Sequence, residues 1–182
     1  MSYDLMVFDP EEAPRDRKHF IDWYHRTTEW NEGHDYSDPN ATTLALREWY
    51  ADIRKLFPNM NGPGSPTDAE LMIPSVEDRL ADYTFAHHAI YATFAWSEAE
   101  NVYPLVRELA VKHGVGLFDA SCDEPEPEIY FPGDESRPPS GGKWREVAAD
   151  FRSGDVSKYI PTNFPQEETP TRRWFDIFRR NK

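Results

Sequence analysis

Sulfur is scarce in this chain. Cys122 is the single cysteine among 182 residues, so no intrachain disulfide can form and the fold must rest on burial and hydrogen bonding. That usage suits a reducing compartment. No apolar run approaches the ~20 residues that a membrane-spanning helix needs. The opening "MSYDLMVFDP" also lacks the basic region and apolar segment of a secretory signal. A cytoplasmic protein with no membrane partner is expected. Positive charge is short as well: 20 Lys and Arg stand against 33 Asp and Glu, a formal net charge of −13. Such a surface repels phosphate backbones and anionic lipid heads. Nucleic acid is therefore not an expected partner, and a basic protein is.

Familiar catalytic signatures are missing too. The chain contains no G-x-S-x-G, G-x-G-x-x-G or G-x-x-x-x-G-K-[ST], which argues against common nucleotide and hydrolase chemistry. No H-x-H or H-x-x-x-H pair appears among His19, His25, His34, His87, His88 and His113. Zinc sites need about three converging ligands, and neighbours such as His87 and His88 diverge if they lie in a strand. No metal, no cofactor and no catalytic residue is assigned. Cys122 is a poor nucleophile candidate, because Asp123, Glu124, Glu126 and Glu128 surround it in sequence. Negative neighbours raise a thiol's pKa and suppress the thiolate.

Large apolar rings are plentiful. Aromatics make up 14% of the chain, with six Trp, too many for a disordered polymer. A mean hydropathy of −0.79 then implies a compact core inside a charged shell. Ser2 to Phe8 reads as a strand with Tyr3, Leu5 and Val7 on one side and Met6 and Phe8 with Asp4 on the other, so both faces should be covered. Phe20, Trp23, Tyr24 and Thr27 keep helical spacing. Leu46, Trp49, Tyr50, Ile53 and Phe57 form a second apolar stripe, stopped by Pro58, with Thr42 or Thr43 as its cap. A short helix is placed near Val76 to Leu80.

"YTFAHHAIYATFAW" (Tyr83 to Trp96) poses the main local question. Two strands with His87 and His88 as the turn between them are the favoured reading, and one long strand is the alternative. "SEAE" from Ser97 matches a capping box. Ala99, Val102, Tyr103, Val106, Leu109 and Ala110 make the next helical stripe. Gly114 fits the position just past its end, and "VGLFDAS" returns as a strand. A crossover of this length favours parallel pairing of the flanking strands. "EIYF" at Glu128 to Phe131 adds one more strand. Amphipathic helices are placed at about Lys143 to Phe151 and Thr171 to Arg180.

The element order predicts an α+β fold, a ferredoxin-like sandwich with a mixed sheet of four to five strands and helices packed on it. We expect one domain over residues 1–182, with long loops near 58–75 and 120–142 and a C-terminal helical extension over 143–182.

The most distinctive stretch runs from Asp119 to Glu135, with seven acids and no Lys or Arg. Acidic charge speeds encounter with a basic surface, and aromatic rings supply area to bury. The expected contact surface comprises Asp123, Glu124, Glu126, Glu128, Tyr130, Asp134 and Glu135. "TRRWFDIFRRNK" at the other end carries the opposite charge and reads as a helix that docks on the acidic body. The stretches "MSYDLMVFDP" and "YTFAHHAIYATFAWSEAE" resemble a group of small bacterial proteins that carry no assigned activity. The resemblance covers most of the chain, implies a bacterial origin and brings no catalytic motif.

The leading expectation is a cytoplasmic protein-binding factor, immunity- or antitoxin-like, that captures a basic protein partner. The alternative is a small enzyme with a pocket between sheet and loops, using His34 or His87 with Asp35 or Asp119, since histidine titrates near neutrality. A homodimer whose interface consumes the aromatic rings is a third reading.

Overall fold

The computed structural model describes residues 2–62, 65–73, 76–122 and 127–134. Five strands form one sheet: β1 (Ser2–Phe8), β2 (Asp82–Phe85), β3 (Ala89–Ala95), β4 (Gly116–Asp119) and β5 (Ile129–Tyr130). Their order across the sheet is β2-β3-β1-β4-β5. Every hydrogen-bonded neighbour in it is antiparallel, so the sheet is antiparallel where a mixed one was expected. The helices are α1 (Arg17–Thr27), α2 (Leu44–Ile53), α3 (Asp68–Leu71) and α4 (Ala99–His113).

The position of β1 follows from its composition. With apolar side chains on both faces it buries most at the centre, and there it pairs along its whole length with β3, from Ser2 opposite Ala95 to Phe8 opposite Ala89. Its other edge takes β4, with Leu5 opposite Asp119 and Phe8 opposite Gly116. Strands β3 and β4 therefore run in the same direction but do not pair, because β1 lies between them. The expected parallel ladder is replaced by a split strand–helix–strand unit whose helix is α4.

Period-two alternation sorts β1 between two cores. Tyr3, Leu5 and Val7 pack with Leu46, Trp49, Tyr50 and Ile53 of α2 and Val102, Tyr103, Val106 and Ala110 of α4. Met6 and Phe8 pack on the opposite face with Phe20 of α1, Phe118 and Phe131. The architecture is α+β, with helices against an antiparallel sheet, and its strand order is compatible with the ferredoxin-like arrangement. Helix α1 lies on the second face, which a plain two-layer sandwich leaves bare.

Local signals explain the ends of most elements. Asp16 caps α1 by accepting from the His19 N–H at 3.1 Å. Gly114 ends α4 in the left-handed region at φ 65°, where a residue without Cβ meets no steric penalty. The start of α4 differs from expectation: a 3-10 turn over Trp96–Glu98 leads into it and Glu98 is the N-cap, with no side-chain capping bond. Thr43 is the N-cap of α2, likewise without a side-chain bond. The segment near Val76 to Leu80 holds a 3-10 turn, Glu77–Arg79. Gly116 is required by packing, since a Cβ there would lie 2.2 Å from the buried Phe8 ring. The expected helices at Lys143 to Phe151 and Thr171 to Arg180 lie outside the described residues.

Candidate functional site

The two adjacent histidines form a turn. The Ala86 N–H donates to the Ala89 carbonyl at 2.9 Å, which closes a two-residue hairpin with His87 and His88 at its tip. Neither takes a positive φ; Trp30 is the one non-glycine residue among those described that does, at 54°. The two rings then part company, with planes 69° apart. His88 turns toward Asp9, its Nδ1 3.9 Å from Asp9 Oδ2, while the Asp9 N–H donates to the His88 carbonyl at 2.9 Å. His87 turns the other way, toward the loop after α1.

That loop is tied to the hairpin at several points. The Phe85 N–H donates to the Tyr36 carbonyl at 2.9 Å. The Thr42 hydroxyl donates to the His87 carbonyl at 3.1 Å. The His87 N–H donates to Glu32 Oε2 at 2.9 Å. Trp30 packs edge-on against Tyr36 and Tyr91. Gly33, at φ 76°, makes the backbone reversal between Glu32 and His34. These ties bring His34 and His87 into a stack with ring centroids 4.4 Å apart. Glu32, His34 and His87 each offer a donor atom, all within 4.8 Å of one another.

Both rings have one nitrogen already engaged. His34 Nε2 lies 2.8 Å from the Phe85 carbonyl oxygen and His87 Nδ1 2.9 Å from that of Ala41. A carbonyl only accepts, so those nitrogens carry the protons. In the neutral form of each ring that leaves the lone pair on His34 Nδ1 and on His87 Nε2. His34 Nδ1 is buried without a hydrogen-bond partner, 3.7 Å from Glu32 Oε2.

The acid–base pairs expected from sequence set His34 or His87 with Asp35 or Asp119; the structure instead stacks the two histidines on each other and places Asp119 away from them. Asp119 sits opposite Leu5, and Leu5 sits opposite Ala92, three residues into β3 and with β1 intervening. Asp35 is engaged in its own turn, accepting from the Ser37 N–H at 2.9 Å and hydroxyl at 2.8 Å. Those bonds hold its carboxyl below the usual range. The carboxylate that does join the histidines is Glu32, which no sequence spacing singles out.

A second polar cluster lies between the sheet and α4. Asp119 is fully buried and Glu128 is 2% exposed. The Tyr3 hydroxyl donates to Asp119 Oδ2 at 3.3 Å, and the Tyr103 hydroxyl donates to Glu128 Oε2. Arg107 Nε is 3.8 Å from Glu128 Oε1, and its guanidinium lies over the Tyr130 ring at 3.3 Å. Burial raises the Asp119 carboxyl to about 7, and the nearby Glu128 charge adds to this, against the bonds from Ser121, Tyr3 and Cys122. Burial also pushes the Tyr3 and Tyr103 hydroxyls well up.

This cluster corrects part of the expected contact surface. Glu128, just before β5, and Tyr130 within it are interior residues, 2% and 7% exposed, and meet Tyr103 and Arg107 of α4. Neither can meet a partner. Asp134 is exposed, 3.8 Å from Arg15. Asp123, Glu124, Glu126 and Glu135 lie outside the described residues. No family model, curated protein or solved structure matches the chain. No helix among the described residues is long and apolar enough to cross a membrane.

Proposed function

We propose that the protein is a binding factor of the cytoplasm, immunity- or antitoxin-like, that captures a basic protein partner. The observation that carries this is the apolar pair held out by α3. Thr67 and Glu70 form a complete capping box around this one-turn helix, yet none of its residues is buried. It leads into Met72, 83% exposed, and Ile73, 54% exposed. Asp68, Glu70, Glu77 and Asp78 rim the pair in sequence. A locally fixed turn that holds apolar side chains in water among acids is suited to a cationic surface with an apolar recess. Burying two such side chains contributes roughly 1.5–3 kcal/mol each, and the acids accelerate encounter. Asp123, Glu124, Glu126, Asp134 and Glu135 are kept as partner-contact residues in this reading.

The test compares the wild-type chain with Met72→Lys/Ile73→Lys as bait in extracts of the source cell, at low and high salt. A partner held by the wild type, weakened by salt and lost by the variant is the expected result. Identical capture by both baits refutes the surface. A concentration-dependent mass near twice that of one chain, abolished in the variant, would assign the surface to self-association instead.

The enzyme reading retains one specific observation, the meeting of His34, His87 and Glu32. It requires acid–base work by an imidazole held beside a carboxylate. A ligand found by thermal-shift screening of the metal-free chain and lost in His87→Ala would support it; ligands that bind both forms equally would not.

A further inference from the structure

We infer that Glu32, His34 and His87 form a binding site for a divalent transition-metal ion of the zinc class. This goes beyond partner capture and stands independently of it and of whether the site catalyses.

Three features distinguish this group from an ordinary surface ion pair. The first is the division of labour in the rings. Metal-binding imidazoles commonly hand their second nitrogen to a carbonyl or carboxylate, which fixes the tautomer and orients the ring. His34 and His87 both do so, with the Phe85 and Ala41 carbonyls as acceptors at 2.8 and 2.9 Å. A cation taken by His34 Nδ1 and His87 Nε2 leaves both bonds in place.

The second feature is a separation. His34 Nδ1 and Glu32 Oε2 are 3.7 Å apart, beyond the usual 2.7–3.2 Å of an N–H···O bond. Two ligands on one tetrahedral zinc, at about 2.0–2.2 Å each, stand roughly 3.4 Å from one another. The observed gap is nearer to the shared-ion separation than to a hydrogen bond. The three residues offer donor atoms within 4.8 Å of one another, so side-chain movement alone can close them to that spacing, and Glu32 Oε2, which accepts from the His87 N–H at 2.9 Å, keeps a second lone pair for the ion.

The third feature is the orphaned lone pair. His34 Nδ1 is buried with no hydrogen-bond partner, and a buried acceptor left unmade costs free energy. A metal ion satisfies it. The donor set decides the class of ion: two imidazole nitrogens with one carboxylate suit zinc and its neighbours, whereas calcium and magnesium prefer oxygen alone. Three protein ligands leave a coordination position open.

The histidine–carboxylate group around Asp52 provides an internal control. Asp52 lies within 2.6 Å of Lys55 Nζ, 2.7 Å of Lys112 Nζ and 2.9 Å of His113 Nε2. Two ammonium groups already occupy the places a metal would take.

The experiment is calorimetric titration of the chelator-stripped full chain with zinc chloride, alongside His34→Ala, His87→Ala, Glu32→Gln and His113→Ala. One saturable site per chain is expected. The two histidine variants should each lower its affinity by about 100-fold or more, since loss of an outer-shell partner alone costs 10–100-fold. Glu32→Gln should lower it by at least about 10-fold, and His113→Ala should match the wild type. Imidazole NMR signals of His34 and His87, and not of His113, should shift on addition of one equivalent. Absence of saturable uptake overturns the inference. So does uptake that survives in both His87→Ala, whose side chain is exposed, and Glu32→Gln.

Discussion

Replacing Asp119 by Asn should remove a pH dependence of stability that the buried polar cluster imposes. Asp119 has no exposed surface, and its carboxyl is raised from 3.8 to about 7 in the folded chain, chiefly by desolvation. In the unfolded chain it titrates near its ordinary value and is ionised above about pH 4. Folding therefore takes up a proton between about pH 4 and 7, and stability falls as pH rises through that window. Below it the carboxyl is neutral in both states and imposes no penalty. Above about 7 the penalty is complete, because the charge must be buried. At 1.36 kcal/mol per pH unit the full interval corresponds to on the order of 4 kcal/mol. Water entry and side-chain relaxation at pH 8 reduce this, so we expect about 2–4 kcal/mol.

Asparagine keeps the shape, still accepts from the Ser121 N–H that now donates to Oδ1 at 3.2 Å, and cannot ionise. Urea unfolding followed by tryptophan fluorescence at pH 4.5, 6, 7 and 8 gives the difference between Asp119→Asn and wild type. Taking the difference cancels the titration of every group the two chains share. It should rise by about 2–4 kcal/mol from the lowest pH to the highest. A difference that stays flat across the series would refute the burial argument, and one that falls would mean that Asp119 is stabilised as an anion.

The same assay checks two further substitutions. Glu128→Ala should cost about 3–5 kcal/mol, the usual effect of breaking a buried charged pair. It removes the counter-charge 3.8 Å from the Arg107 guanidinium and the carboxylate to which the Tyr103 hydroxyl donates. Glu128→Gln should cost less, and if either variant unfolds like the wild type the carboxylate is not the anchor described. Gly116→Ala should lower stability by about 1–3 kcal/mol, as overpacked cores do, because its methyl group would meet the buried Phe8 ring at 2.2 Å; an unchanged urea midpoint would show that the ring moves aside freely.

Much of the fold is legible because its signals are local. Alternation in β1 places Tyr3, Leu5 and Val7 apart from Met6 and Phe8, and both cores confirm the division. The stripe along α4 and the glycine at its end need only the period of a helix. Pairing order is less legible: a crossover of one helix between β3 and β4 says that they run the same way, not what lies between them. The strand that intervenes, β1, comes more than 80 residues earlier, and only its two-sided burial hints at the central place.

Glu128 and Tyr130 depart from expectation for a different reason. Charge counted along an acidic run says nothing of which way each side chain points. Residues two apart in a strand share a face, so once "EIYF" reads as a strand, an inward Tyr130 carries Glu128 inward with it. The companion signal sits on α4, where Tyr103 and Arg107 are four apart and hence neighbours on one helix face. A buried carboxylate and an arginine on an apolar stripe each look costly alone and are tolerable only as a pair. The hairpin-end group is harder to see. Glu32 and His34 are separated from His87 by more than 50 residues, and the E-x-H spacing that joins the first two is not among the usual metal motifs. What assembles it is backbone geometry: a left-handed Trp30 and a left-handed Gly33 bend the loop so that its carbonyls and side chains meet the turn. Strain of that kind in a non-glycine residue persists only where surrounding contacts over-determine it, and Trp30 is held by Tyr36 and Tyr91. The loop is thus anchored at its aromatic start and at the hairpin, which keeps the two imidazoles stacked.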